Sequence, residues 1–152
     1  HGPLLFSATF LGIMQAAYTY TLDYLTGRAP GAPLKGQIAP TIGSNVSEML
    51  CRLEAARALY YRSVSEAKLQ PTHEIRQRAR AAHLTIQRAV VEVAQEAIRV
   101  CGGRALLKKH PLERFLRDAQ AASVMRPWTR EIATQATWES AIEHVQKKNT
   151  VE

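Results

Sequence analysis

The chain has 152 residues, enough for one domain that buries most of its apolar surface. Twenty Lys and Arg against thirteen Asp and Glu give a formal charge of +7 and a pI near 9.8, which favours anionic partners such as phosphate-bearing cofactors. Arginines are spread through the chain and the aromatics cluster near its start, so a nucleic-acid face is not expected.

The chain opens His1-Gly2-Pro3 without an initiator methionine, as expected of a processed protein or a piece of a longer one. The apolar opening from Leu4 to Leu25 lacks a basic flank and is interrupted by Gln15, Thr19, Thr21 and Asp23. It is therefore neither a signal peptide nor a membrane span. Its pattern predicts a first helix over about residues 3–26, with one stripe of Phe6, Phe10, Ile13, Ala17, Tyr20 and Tyr24. A second stripe comprises Leu4, Leu11, Met14, Tyr18, Leu22 and Leu25. A helix apolar on two faces is buried on both, so it lies centrally in a bundle or beneath a second subunit. The second stripe is expected to be exposed in a lone bundle, and a dimer or tetramer is expected.

Residues 27–43 carry four glycines and three prolines and predict a long connection. The second helix is expected from Ser44, as N-cap, to Leu69. Pro71 breaks the chain, and Thr72 starts a third helix whose apolar face runs from Ala79 through Ile86 and Val93 to Val100. Gly102-Gly103 ends it. A fourth helix is expected from Pro111 to about Ala122 and a fifth from Pro127 to Lys148. The pattern predicts an all-α protein, an antiparallel four-helix bundle with an additional C-terminal helix.

No Glu-x-x-His pair of the kind that holds a di-metal centre occurs among the histidines, so no metal is expected. His83 follows Arg76 and Arg80 and is expected in solvent, while His110 precedes Pro111 and is expected to cap the loop. Cys51 and Cys101 lack metal-ligand spacing and are expected as buried free thiols of a cytoplasmic protein.

The run from Gly102-Gly103 to Pro111-Leu112-Glu113-Arg114-Phe115-Leu116-Arg117-Asp118-Ala119 resembles the C-terminal signature of the acyl-CoA dehydrogenase superfamily, a GG turn followed by P-x-E-R-x-x-R-D-A. Leu11 to Ala17 and Leu53 to Arg57 resemble the first and second helices of that family's C-terminal domain. Gly31, Pro33 and Leu34 match part of its F-G-x-P-L loop, with Pro30 in place of the aromatic. The resemblance implies that residues 1–152 form the C-terminal helical bundle of a longer flavoprotein, which adds an N-terminal helical domain and a middle β-domain. FAD would be the cofactor of the complete enzyme and an acyl-CoA or related small molecule its substrate.

In that family the glycine turn approaches the adenosine and pyrophosphate of a flavin held mainly by a neighbouring subunit. Arg28, Arg99, Gly102, Gly103 and Thr129 are the flavin-contacting candidates it implies, and the chain alone is expected to bind FAD weakly or not at all. Arg99 and the glycines fit a plain helix terminus with a cation in its last turn equally well. The resemblance also implies a glutamate base just before a Gly-Thr pair, but that place is Arg126, and arginine stays protonated. The alternative place of the base lies close to Gly2. Glu131, the nearest carboxylate, suits a helix's first turn better. A flavin-dependent monooxygenase on the same fold and a non-enzymatic interaction bundle remain the other two readings.

Overall fold

The computed structural model describes residues 2–30, 32 and 40–149. They form five α-helices, and no strand occurs among the described residues. The helices are α1 (Gly2–Leu25), α2 (Pro40–Ser65), α3 (His73–Cys101), α4 (Leu112–Val124) and α5 (Arg130–Asn149), with a 3-10 turn at Gly103–Leu106. Gly31, Pro33 and Leu34 of the first loop lie outside the described residues.

Most helix ends follow local chemistry. Thr72 caps α3, its hydroxyl accepting from the Ile75 N–H at 3.4 Å. Gly102 ends α3 at φ 81° and ψ 176°, a region essentially restricted to glycine, and its N–H bonds to the Ile98 carbonyl. Phe115 N–H bonds to the Pro111 carbonyl at 2.9 Å and starts α4. Helix α2 departs from the sequence reading, spanning 40–65 rather than 44–69. Pro40 stands in its first turn, where a missing N–H costs nothing, and Ser44 lies inside the helix. At the other end Pro71 disfavours helical geometry in the preceding residue, and the chain leaves the helix before reaching it.

Cross-helix contacts fix the directions. The Arg52–Glu92 and Arg78–Glu66 ion pairs, at 2.9 and 2.8 Å, run in opposite order along α2 and α3, so these helices are antiparallel. Ser7 meets His83, and Thr21 meets Cys101 fourteen residues later, so α1 runs parallel to α3. Helices α4 and α5 follow one another back down α3: Gln87 bonds to the Ala122 carbonyl and Gln77 to the Thr137 carbonyl. His73 stacks on His144, ring centroids 3.9 Å apart. The result is an antiparallel four-helix bundle whose fourth column is divided between α4 and α5.

Met14, Met49, Leu53, Ile86, Val90, Val93 and Leu112 fill the core, each almost wholly buried. Burying such a side chain contributes about 1.5–3 kcal/mol. Ala17, Ala56, Ala94, Ala97 and Ala119 are also inside and let the helices approach closely. The buried face of α1 is Leu4, Ser7, Phe10, Met14, Ala17, Thr21 and Tyr24, which draws on both predicted stripes. Leu11, Ile13, Tyr18 and Tyr20 are half-buried against the same core. The second stripe is therefore largely covered within one chain, as a central place in the bundle requires, and the exposure expected of it in a lone bundle is not found. Among the described residues no helix is long and apolar enough to cross a membrane.

Candidate functional site at the glycine-turn end of the bundle

The C-terminal ends of α1 and α3 meet at one end of the bundle. Thr21 is hydrogen-bonded to the Cys101 thiol there, and Tyr20 Oη lies 2.8 Å from His110 Nδ1. The Tyr24 ring meets His110 edge-on, centroids 6.0 Å apart. His110 is thus a packed core group under the turn. Burial pushes the Cys101 thiol up to about 11, and burial first, then Cys101 and Tyr24, raises Tyr20. These groups stay protonated at neutral pH and supply no nucleophile. Cys51 is exposed, contrary to expectation, and both cysteines are free.

Above this packed floor the surface is cationic. Arg99 pairs with Glu96 at 3.0 Å and Arg28 with Asp23 at 2.9 Å, yet the two arginine side chains remain 73% and 69% exposed. Exposed pairs of this kind contribute little to stability and can exchange partners. Arg104, Lys108 and Lys109 follow on the same turn, all exposed. Nothing lies within 4 Å of where a Cβ would stand on Gly102 or Gly103, so the backbone of the turn is accessible. A packed floor and an open, cationic rim suit a phosphate-bearing ligand.

Thr129 is not part of this cluster. Its neighbour Trp128 accepts a hydrogen bond from Gln87, fifteen residues back along α3 from Gly102, a span of about 22 Å at helical rise. Thr129 instead accepts from Ile132 N–H at 3.4 Å, in the manner of an N-cap for α5. Glu131 stands in the first turn of that helix. A backbone hydrogen bond, then one with the Thr129 hydroxyl, hold its carboxyl below the ordinary range, the opposite of what a general base requires. Arg126 is exposed on the connection before it.

His83 departs most from the sequence reading. It is 2% exposed, with Nδ1 3.1 Å from Ser7 Oγ, and Gln87 one turn on is 1% exposed. Burial lowers the His83 pKa, and the nearby Trp128 carbonyl only partly opposes this. The unfolded chain, with an ordinary value near 6.5, therefore takes up the proton first. Stability should be level above about pH 6.5 and fall below it. His73, depressed first by desolvation and then by His144, acts in the same direction. Urea midpoints at pH 7.5 and 5.5 test this: the His83→Gln chain should lose less stability between the two than the unaltered chain. An equal loss would assign the pH dependence elsewhere.

The profile of the family described as acyl-CoA dehydrogenase, C-terminal domain, matches residues 4–126. An acyl-CoA dehydrogenase of Bacillus subtilis (strain 168) is 31% identical over 121 residues, covering 78% of this chain and 30% of that protein. The short-chain specific mitochondrial acyl-CoA dehydrogenase of Bos taurus is 32% identical over 117 residues, covering 75% of this chain and 27% of the relative. The chain thus spans less than a third of these curated relatives. Among solved structures, PigA with FAD and proline aligns with a TM-score of 0.77 and 21% identity over 92% of this chain and 36% of that one, a likeness of fold.

Proposed function

This chain belongs to the acyl-CoA dehydrogenase family as a C-terminal helical domain, and from that premise we propose that it is one part of a longer flavin-dependent oxidoreductase acting on CH–CH bonds of acyl thioesters. Within that enzyme it contributes to flavin binding and to subunit assembly. Residues 1–152 would be its C-terminal bundle domain, and domains supplied elsewhere would complete the enzyme.

The observation that carries the reading is the accessible Gly102-Gly103 backbone, with exposed Arg99 in the helical turn before it and exposed Arg28 just past the end of α1, at the same end of the bundle. Charge and open backbone there fit the pyrophosphate of FAD. Arg99 and Arg28 would hold it electrostatically, and Gly102 and Gly103 would allow close approach. Bound flavin would supply hydride acceptance; the chain supplies binding. Thr129, from mid-bundle, would meet a different part of a flavin or none. The test is equilibrium dialysis of FAD against the complete protein and its Arg99→Glu form. Affinity should fall at least about tenfold with Tm unchanged, whereas unchanged affinity would leave Arg99 as a helix-end cation only. One turn of surface supplies one side of such a site, so the isolated chain would bind FAD weakly or not at all.

Assembly would use α5 rather than α1. Trp138, Ile142 and Val145, at spacings of four and three, expose an apolar stripe on the face of α5 turned from the bundle, with 59%, 46% and 55% of each residue open. A contiguous apolar stripe of this kind marks a contact surface. Sedimentation of the complete protein should show a dimer or tetramer, and Trp138→Lys should shift it toward smaller species. A Trp138→Lys protein with unaltered mass would place the contact elsewhere.

A flavin-dependent monooxygenase is the second reading, favoured by Arg126 at the place where the resemblance puts a base and by the engagement of Glu131 at the start of α5.

A further inference from the structure

A second polar feature lies at mid-bundle, away from the glycine turn. Phe6, Phe10, His83, Gln87, Ala122, Met125 and Trp128 line a small cavity with room for about one water molecule. Its walls are aromatic and aliphatic, and its polar floor is the pair His83 and Gln87, each at least nine-tenths buried. Both lack one well-formed hydrogen bond. His83 Nδ1 faces Ser7 Oγ, and Nε2 has only the Trp128 carbonyl near it, out of line and already taken by Gln87; Gln87 Nε2 donates to the Ala122 and Trp128 carbonyls while Oε1 has no partner among the described residues. Leaving such groups unsatisfied inside a fold is costly, so an occupant is called for.

We propose that this cavity is a binding site for one hydroxyl oxygen, filled by a water or by the hydroxyl of a small phenol. Residues four apart on a helix lie about 5–6 Å from each other on one face. An oxygen between the two groups therefore reaches both. Gln87 Oε1 accepts only, so the occupant must donate to it. His83 Nε2 donates or accepts according to tautomer, and a hydroxyl oxygen matches either. A carboxylate offers no proton, and a cation is opposed by the apolar walls. Phe6, Phe10 and Trp128 suit an aromatic body. Met125, 39% exposed at the C-cap of α4, is the flexible wall that would move to admit one. This inference stands apart from the flavin reading and needs no other domain.

The 152-residue chain is titrated with phenol and, separately, with toluene, which keeps the ring and replaces the hydroxyl by a methyl. The readouts are the NMR shifts of the His83 ring and the Trp128 indole, with Trp138→Phe assigning the indoles, and cross-peaks from a long-lived water to the Gln87 side-chain amide. Phenol should move both resonances saturably, bind at least about tenfold tighter than toluene and remove the water cross-peaks. Water cross-peaks without phenol binding would establish the site with water as its occupant. Equal binding of phenol and toluene, or neither phenol nor water at His83 and Gln87, would overturn the proposal.

Discussion

Replacing Gln87 by leucine should cost the fold about 2–4 kcal/mol, since it strips hydrogen-bond donors from two carbonyls at once. One Gln87 amide group donates to Ala122 O at 2.6 Å and to Trp128 O at 2.8 Å. Ala122 lies in the last turn of α4, whose carbonyls have no partner within the helix, so Gln87 acts as a cap supplied from α3. Trp128 lies on the connection into α5, so the same side chain ties both parts of the divided fourth column to the long central helix. Leucine nearly matches glutamine in volume, which limits any packing contribution to the loss. Urea unfolding followed by tryptophan fluorescence measures the effect. A loss below about 0.5 kcal/mol would show that water or neighbouring donors satisfy the two carbonyls unaided.

That tie was not legible in the sequence, and the reason is non-local. Local signals served well: Thr72, Gly102 and Pro111 each act through neighbours within a few residues, and each marks a helix boundary. Pro40 misled because proline suits both a loop and a first helical turn. The spacing of His83 from Arg76 and Arg80 points to a polar, solvated face. That side of α3 is partly covered by α5, and even Arg80 Nη1 is buried. The four-and-three spacing of His83, Gln87, Val90, Ala94, Ala97 and Cys101, all buried, was the available signal. The two stripes of α1 were legible as apolar, but not that α3 and the α4–α5 connection cover them within one chain.

The candidate site was legible as a turn and a set of cations. Arg28, Arg99, Gly102 and Gly103 reach one end of the bundle because α1 and α3 run parallel, a topology that no residue pattern announced. Thr129 follows Trp128, whose carbonyl bonds to Gln87, a residue about 22 Å along α3 from the glycine turn.

Acyl-thioester oxidation needs a base beside the carbon that loses its proton, and of the described residues neither Arg126, at the place the resemblance gives the base, nor Glu131, the carboxylate nearest to it, suits that role. Arg126 cannot accept a proton, and Glu131 is held as a low-pKa carboxylate at the start of α5. The base of the complete enzyme is accordingly expected outside these residues. The direct measurement is anaerobic rapid mixing of the complete protein with a panel of acyl-CoAs, following flavin absorbance. The account predicts rapid bleaching by at least one acyl-CoA, at a rate that Glu131→Gln leaves within about twofold, where loss of a true base would cost 10²–10⁴-fold. Bleaching abolished by Glu131→Gln would contradict the placement of the base. No bleaching by any acyl-CoA, with the separately reduced flavin reacting productively with oxygen, would contradict the dehydrogenase reading itself.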